Sequence, residues 1–140
     1  MIQNNLLNRS AKLLFPVLII FSLLVFWRGH QLPGGGFIGG LVAALAFVLK
    51  SIPNEGQMPK IFLGANGDRI LALGLILSLS AACMPLFIGE TFFKGLWLPY
   101  FNIPLLGEIH LGTPLLFDSG VYILVTTFCV KTATNFLELE

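Results

Sequence analysis

Four apolar stretches, separated by short segments rich in glycine, proline or polar residues, organise this chain. They run over 13–27, 37–49, 70–88 and 113–133. A helix needs roughly 20 residues to cross the hydrocarbon core of a bilayer. With flanking residues included, the stretches predict four membrane helices over about 8–29, 33–52, 68–89 and 113–135. The expected fold is therefore an all-α integral membrane protein, a single membrane domain over 1–140. Its first connection is glycine-rich, and a long aromatic-rich connection precedes the last helix.

Helix boundaries carry recognisable chemistry. Thr113 suits an N-cap and Pro114 the first helical position, where a missing N–H is harmless. Asp68 is placed to start the third helix in the same way. Pro85, inside the third stretch, predicts a bend. The connection GETFFKGLWLPYFNIPLLGEIHLG, from Gly89 to Gly112, is expected at the membrane boundary. Trp97 and Tyr100 can keep their rings in lipid there and their polar atoms in water.

The second stretch, FIGGLVAALAFVL, spans only about 20 Å as a helix, against a hydrocarbon core of about 30 Å. The preceding residues Pro33, Gly34, Gly35 and Gly36 are expected to sink below the membrane surface, with Pro33 starting or bending the helix. Irregular backbone at that depth must be covered by protein or line a wet cavity. Small residues then recur every four positions, at Gly36, Gly40 and Ala44 and at Gly35, Gly39 and Ala43. Such ridges let helix backbones approach closely. Gly74, Ser78 and Ala82 repeat the pattern in the third stretch. A phosphate-binding loop is a poor fit, because no lysine–serine/threonine pair, GxGxxG spacing or preceding strand accompanies the glycines.

Composition agrees with a membrane setting. The chain has 140 residues, 56% hydrophobic and 11% charged, with mean hydropathy +0.87. Eight Lys and Arg face seven Asp and Glu, so no basic field exists for nucleic acid. Cys83 and Cys129 lie in apolar runs without metal-ligand spacing and read as buried packing residues. The sequence shows no cofactor motif, HExxH, CxxC, or Ser, His and acid arrangement, and predicts neither a metal site nor an enzyme. The N-terminal stretch resembles the start of a signal peptide, but no small-residue cleavage site follows Trp27, so it is expected to stay attached. Arg9, Lys12, Lys50, Lys60, Arg69 and Lys131 fall on one side of the predicted membrane, with Arg28 and Lys94 on the other. The positive-inside rule then puts both termini in the cytoplasm.

Ionisable residues within the predicted spans are scarce, whereas pumps and carriers usually hold them inside their helices. Asp118 is the exception. Asp118, Tyr122 and Thr126 are spaced four apart and share one helix face. The stripe has two readings: a structural one, with Asp118 as a helix-dipole partner or interhelix contact, and one in which it borders an ion pathway. His30 has two readings as well, a hydrogen-bonding anchor or a proton-handling group.

The segment GHQLPGGGFIGGLVAA, residues 29–44, resembles the hallmark of the MnhB/MrpB family, the B subunits of the Mrp-type multi-subunit sodium/proton antiporters. LLFDSGVYILV, residues 115–125, is similar to a second stretch typical of that family. Length, number of segments and order of the two motifs agree over nearly the whole chain. The resemblance implies a non-catalytic membrane subunit of a hetero-oligomeric assembly, related in part to the membrane arm of respiratory complex I, that exchanges cytoplasmic Na+ for external H+. Its implied partners are the other subunits of the complex and the lipid of the cell membrane. Larger subunits are the usual candidates for ion translocation. The equivalent subunit of a membrane-bound hydrogenase is one alternative, and a small homo-oligomeric channel is another of a different class.

Overall fold

The computed structural model describes residues 2–29, 34–52, 66–97, 101–103, 107–109 and 112–137. Among them are four α-helices: α1 (Ile2–Arg28), α2 (Gly36–Ser51), α3 (Gly67–Cys83) and α4 (Thr113–Leu137). By length and apolarity three can cross a membrane, over Asn8–Arg28, Gly67–Ile88 and Thr113–Phe136, and α2 is a shorter apolar helix. The helices pack in the spatial order α1, α2, α4, α3. The last helix in sequence is therefore interior to the bundle, with α2 on one side and α3 on the other.

The apolar side chains lie mostly outside this bundle, and small ones fill the seams. Ala43, Ala44, Ala46, Ala81 and Ala82 are buried, whereas Leu13, Ile20, Phe21, Leu73, Ile76 and Phe87 are exposed. A water-soluble bundle would reverse this distribution, but lipid is as apolar as leucine, so close backbone packing drives association instead. One larger cluster joins Ala44 and Val130 with Phe47, Ile70 and Cys129 around them. Cys83 and Cys129 are half-buried rather than fully buried.

Pro85 ends the α-helical part of the third span. The chain tightens at Met84–Ile88 into a 3-10 helix, which Gly89 terminates in the left-handed region at φ 74°. Proline lacks an N–H and its ring meets the carbonyl four residues back, so an i to i−4 ladder cannot continue through it. The helix starts also differ from the caps expected. Asn66 occupies the cap of α3, and the Asp68 carboxylate pairs instead with Lys131 of α4. At α4 the Gly112 carbonyl accepts from the N–H groups of Leu115 and Leu116. The Thr113 hydroxyl accepts the Leu96 N–H at 3.0 Å, and the Leu96 carbonyl accepts from Thr113 N–H at 2.9 Å. Thr113 thus pins the connection to the helix instead of capping it.

That connection is not wholly irregular. Strands β1 (Phe101–Ile103) and β2 (Gly107–Ile109) pair antiparallel, with Asn102 opposite Glu108, and Trp97 and Gly112 bridge below them. A purely helical fold omits this ribbon. Backbone donors and acceptors near an apolar boundary need partners, and the pairing of the two strands supplies them locally.

Candidate functional site

The two sequence motifs meet where α2 begins. Gly35 takes φ 93° and ψ −167°, a conformation open to glycine and strained for a side chain. Its N–H donates to the Val25 carbonyl at 3.2 Å, tying the segment to the last turns of α1. A Cβ on Gly34 would stand 2.7 Å from that same carbonyl oxygen. On its other side, Gly35 faces α4: a Cβ there would lie 2.9 Å from an Asp118 carboxylate oxygen. At Gly36 a Cβ would overlap the Asp118 backbone carbonyl. Glycine is thus required by close approach to α1 and α4 together, and helix α2 opens at Gly36, beyond Pro33.

One turn further, the remaining glycines meet the rest of the polar stripe. A Cβ on Gly39 would be 3.1 Å from the Phe26 Cβ and 3.2 Å from the Tyr122 ring. On Gly40 it would be 3.0 Å from the Tyr122 carbonyl oxygen and 3.1 Å from Val125 Cβ. The Ser22 hydroxyl donates to the Gly39 carbonyl at 2.8 Å, and Tyr122 Oη lies 2.8 Å from Ser22 Oγ. A serine hydroxyl has one proton. Since that proton goes to Gly39, Tyr122 is the donor to Ser22, and the bonds run α4 to α1 to α2. Thr126 adds a direct bond from α4 to α2, its hydroxyl donating to the Gly40 carbonyl at 3.2 Å. Phe26 completes the enclosure, edge-on to Tyr122 with ring centroids 5.3 Å apart.

Asp118 is placed differently from its two stripe mates. It is half-buried, and its carboxylate lies beside Gly35, at the N-terminal end of α2. Unpaired N–H groups and the helix dipole make that end favourable for an anion. The dipole that meets this carboxylate belongs to α2 as well as to its own helix. Asp118 also lines a cavity of about 290 Å³ at the end of the bundle, together with Gly29, Ala82, Phe93, Lys94 and Trp97. Phe93 holds φ 68° and packs edge-on against Phe117 at 5.0 Å. Lys94 pairs with Glu90 at 2.7 Å, both side chains about half exposed.

The sequence-predicted residues Asp118, Tyr122, Thr126, Gly34, Gly35, Gly36, Gly39 and Gly40 are thus gathered around the start of α2. His30 and Pro33 lie outside the described residues, as do Tyr100 and His110. Ser22 and Gly120 belong to the same packing and were not singled out from the sequence. Ser22 is the single polar residue in the first apolar run, a signal of buried hydrogen bonding. Gly120 faces α3, where a Cβ would be 2.5 Å from Ser78 N and 2.8 Å from the Gly74 carbonyl oxygen. Its signal was a glycine inside an otherwise helical stretch. Among the described residues, no group of three His, Cys, Asp or Glu side chains is arranged to hold a metal ion.

Three helices long and apolar enough to span a membrane among the described residues, apolar outer faces and small-residue seams define a multi-pass helical membrane protein. The family described as "Domain related to MnhB subunit of Na+/H+ antiporter" matches residues 6–131, and the chain belongs to it. It is 32% identical to the B subunit of the Na(+)/H(+) antiporter of Alkalihalophilus pseudofirmus over 120 residues, 86% of this chain and 83% of that protein. The protein of the same name from Bacillus subtilis gives the same identity and coverage. Among solved structures the chain is similar to part of the Mrp complex from Dietzia sp. DQ12-45-1b, with TM-score 0.74 and 27% identity. That match covers 96% of this chain and 14% of the solved one.

Proposed function

We infer that this chain is a non-catalytic membrane subunit of a hetero-oligomeric Mrp-type antiporter that exchanges cytoplasmic Na+ for external H+. Its partners are the other subunits of that complex and the surrounding lipid, and its own part is to support assembly. The observation that carries this role is the use of its intramembrane hydroxyls. Tyr122, Ser22 and Thr126 all bond between helices, which leaves them joining the bundle rather than lining an aqueous route. The apolar outer faces of α1 and α3 supply surface for lipid and for unlike subunits.

In this reading residues 1–140 form one membrane domain, and α2 is its fourth span. Sixteen residues give about 24 Å of helix, and Gly34 and Gly35, packed on α1, supply part of the remaining depth. The glycine-rich segment is the first connection and the aromatic-rich segment the last. Both termini are cytoplasmic, since the lysines and arginines concentrate at that end.

Asp118 has a second reading, favoured by its position on a cavity: a group bordering an ion pathway where two subunits meet. The central test uses membrane vesicles from cells with and without this chain, together with a pull-down of its tagged form. The inference requires unlike membrane subunits in the pull-down and loss of Na+-dependent proton exchange when the chain is missing. A ring of identical chains, or full exchange in its absence, overturns it.

A further inference from the structure

We propose that Phe93 is a lid on the Asp118 cavity, bridging α3 and α4 at its mouth and controlling how water reaches the carboxylate. Such a lid serves either role of Asp118, because it governs access to the group and not what the group then does. Its basis is a backbone exception. Among the described residues Phe93 is the one non-glycine residue with positive φ, at 68°. It is the third residue of a turn closed by the Lys94 N–H on the Thr91 carbonyl at 3.1 Å. A turn with positive φ at that position favours glycine or asparagine, and a bulky residue there is strained.

Contact with both helices holds Phe93 in this conformation. Its N–H donates to the Ala82 carbonyl of α3 at 3.3 Å, and its ring packs edge-on against Phe117 of α4, with centroids 5.0 Å apart. Phe117 directly precedes Asp118, and Phe93, Ala82, Phe117 and Asp118 line the same cavity. Phe93 is also 57% exposed, so it stands between the cavity and its surroundings. The two ends of the turn are built unequally. Beyond it, Leu96 is fixed to Thr113 by two hydrogen bonds. Before it, Gly89 holds φ 74° with nothing within 4 Å of where a side chain would stand, which makes it a free pivot. The Glu90–Lys94 ion pair at 2.7 Å spans the turn and keeps it together as it swings. Backbone strain favours release and the two contacts favour closure, so the lid is balanced instead of locked. Lys94 lines the cavity too and leaves with the turn, so opening also withdraws a positive charge from the Asp118 compartment.

The test uses the intact antiporter complex in detergent, with Cys83 and Cys129 of this chain replaced by serine. Ala82→Cys, on the buried cavity wall to which Phe93 is bonded, reports access through its rate of reaction with methyl methanethiosulfonate, read as a mass increase of this chain. The reagent is small and uncharged, so neither Asp118 nor Lys94 draws or repels it. Phe93→Gly keeps the left-handed backbone without strain and removes the ring. It should raise the rate about tenfold, the scale on which loss of an aromatic contact moves an equilibrium. Phe93→Tyr keeps the ring and should leave the rate within about twofold. Phe92→Gly removes a neighbouring exposed ring that does not line the cavity, and should also change little. Ala81→Cys, buried on the same wall, repeats the measurement where Ala82→Cys disturbs packing. Recovery of all subunits in the same samples reports on assembly separately from access. An unchanged rate with Phe93→Gly at both cysteines, or equal acceleration by Phe92→Gly, overturns the proposal.

Discussion

The hydroxyl of Tyr122, on the last helix, donates to Ser22 on the first, and Ser22 passes its own proton to the Gly39 carbonyl of the second. Two bonds of 2.8 Å thereby connect three helices at one level. The carbonyl of Gly39 accepts the Ser22 proton on the same turn where the lack of a side chain lets Phe26 and Tyr122 close in.

Tyr122→Phe removes one bond and leaves Ser22 able to serve Gly39. Ser22→Ala strands both the tyrosine hydroxyl and part of the carbonyl's bonding. We expect Tyr122→Phe to cost roughly 0.6 kcal/mol, the average for interhelical bonds in membranes, and Ser22→Ala about 1–2 kcal/mol. In detergent-denaturation titrations the double variant should lie close to Ser22→Ala alone. Strictly additive losses would show that the hydroxyls act separately.

Gly40→Leu should separate α2 from α4 and release the chain from its complex, because the new side chain meets the Tyr122 backbone and Val125. Gly120→Ala tests the opposite seam. Its methyl meets backbone atoms of Ser78 and Gly74, which cannot rotate away, and overpacking of this kind costs about 1–3 kcal/mol. Leu75→Ala, on an exposed face, is the control and should change little. Co-purification of the complex is the measurement, and intact assembly with Gly40→Leu refutes the packing role.

Asp118 separates the structural reading from the ion-pathway reading. Asp118→Asn keeps shape and hydrogen-bonding capacity, whereas Asp118→Ala keeps neither. With a structural role, Asn retains most assembly and transport while Ala weakens assembly. An assembled Asn variant that no longer exchanges ions in vesicles would place Asp118 on the ion route.

Topology can be read by labelling single cysteines introduced after Cys83 and Cys129 are replaced. Asn66→Cys, before α3, should resist an impermeant reagent applied from outside, and Thr91→Cys, after the 3-10 turn, should react. The reverse pattern would put both termini outside.

The hydrophobic pattern by itself identified a helical membrane protein and most of the residues that gather at the start of α2. Apolar run length and four-residue spacing of small residues are local properties, and lipid imposes a strong penalty on any other backbone arrangement. The motif around Asp118 was legible for the same reason: a carboxylate in an apolar run is conspicuous. The tertiary structure decided which helices meet, and periodicity carries no such information. It placed α4 between α2 and α3, gave Ser22 its role between Tyr122 and Gly39, and turned Asp68 from a cap into the partner of Lys131. It also transferred the cap of α4 from Thr113 to Gly112 and paired Phe101–Ile103 with Gly107–Ile109 within the aromatic connection. In each case a polar group had several chemically acceptable partners, and only the approach of a distant segment selected one.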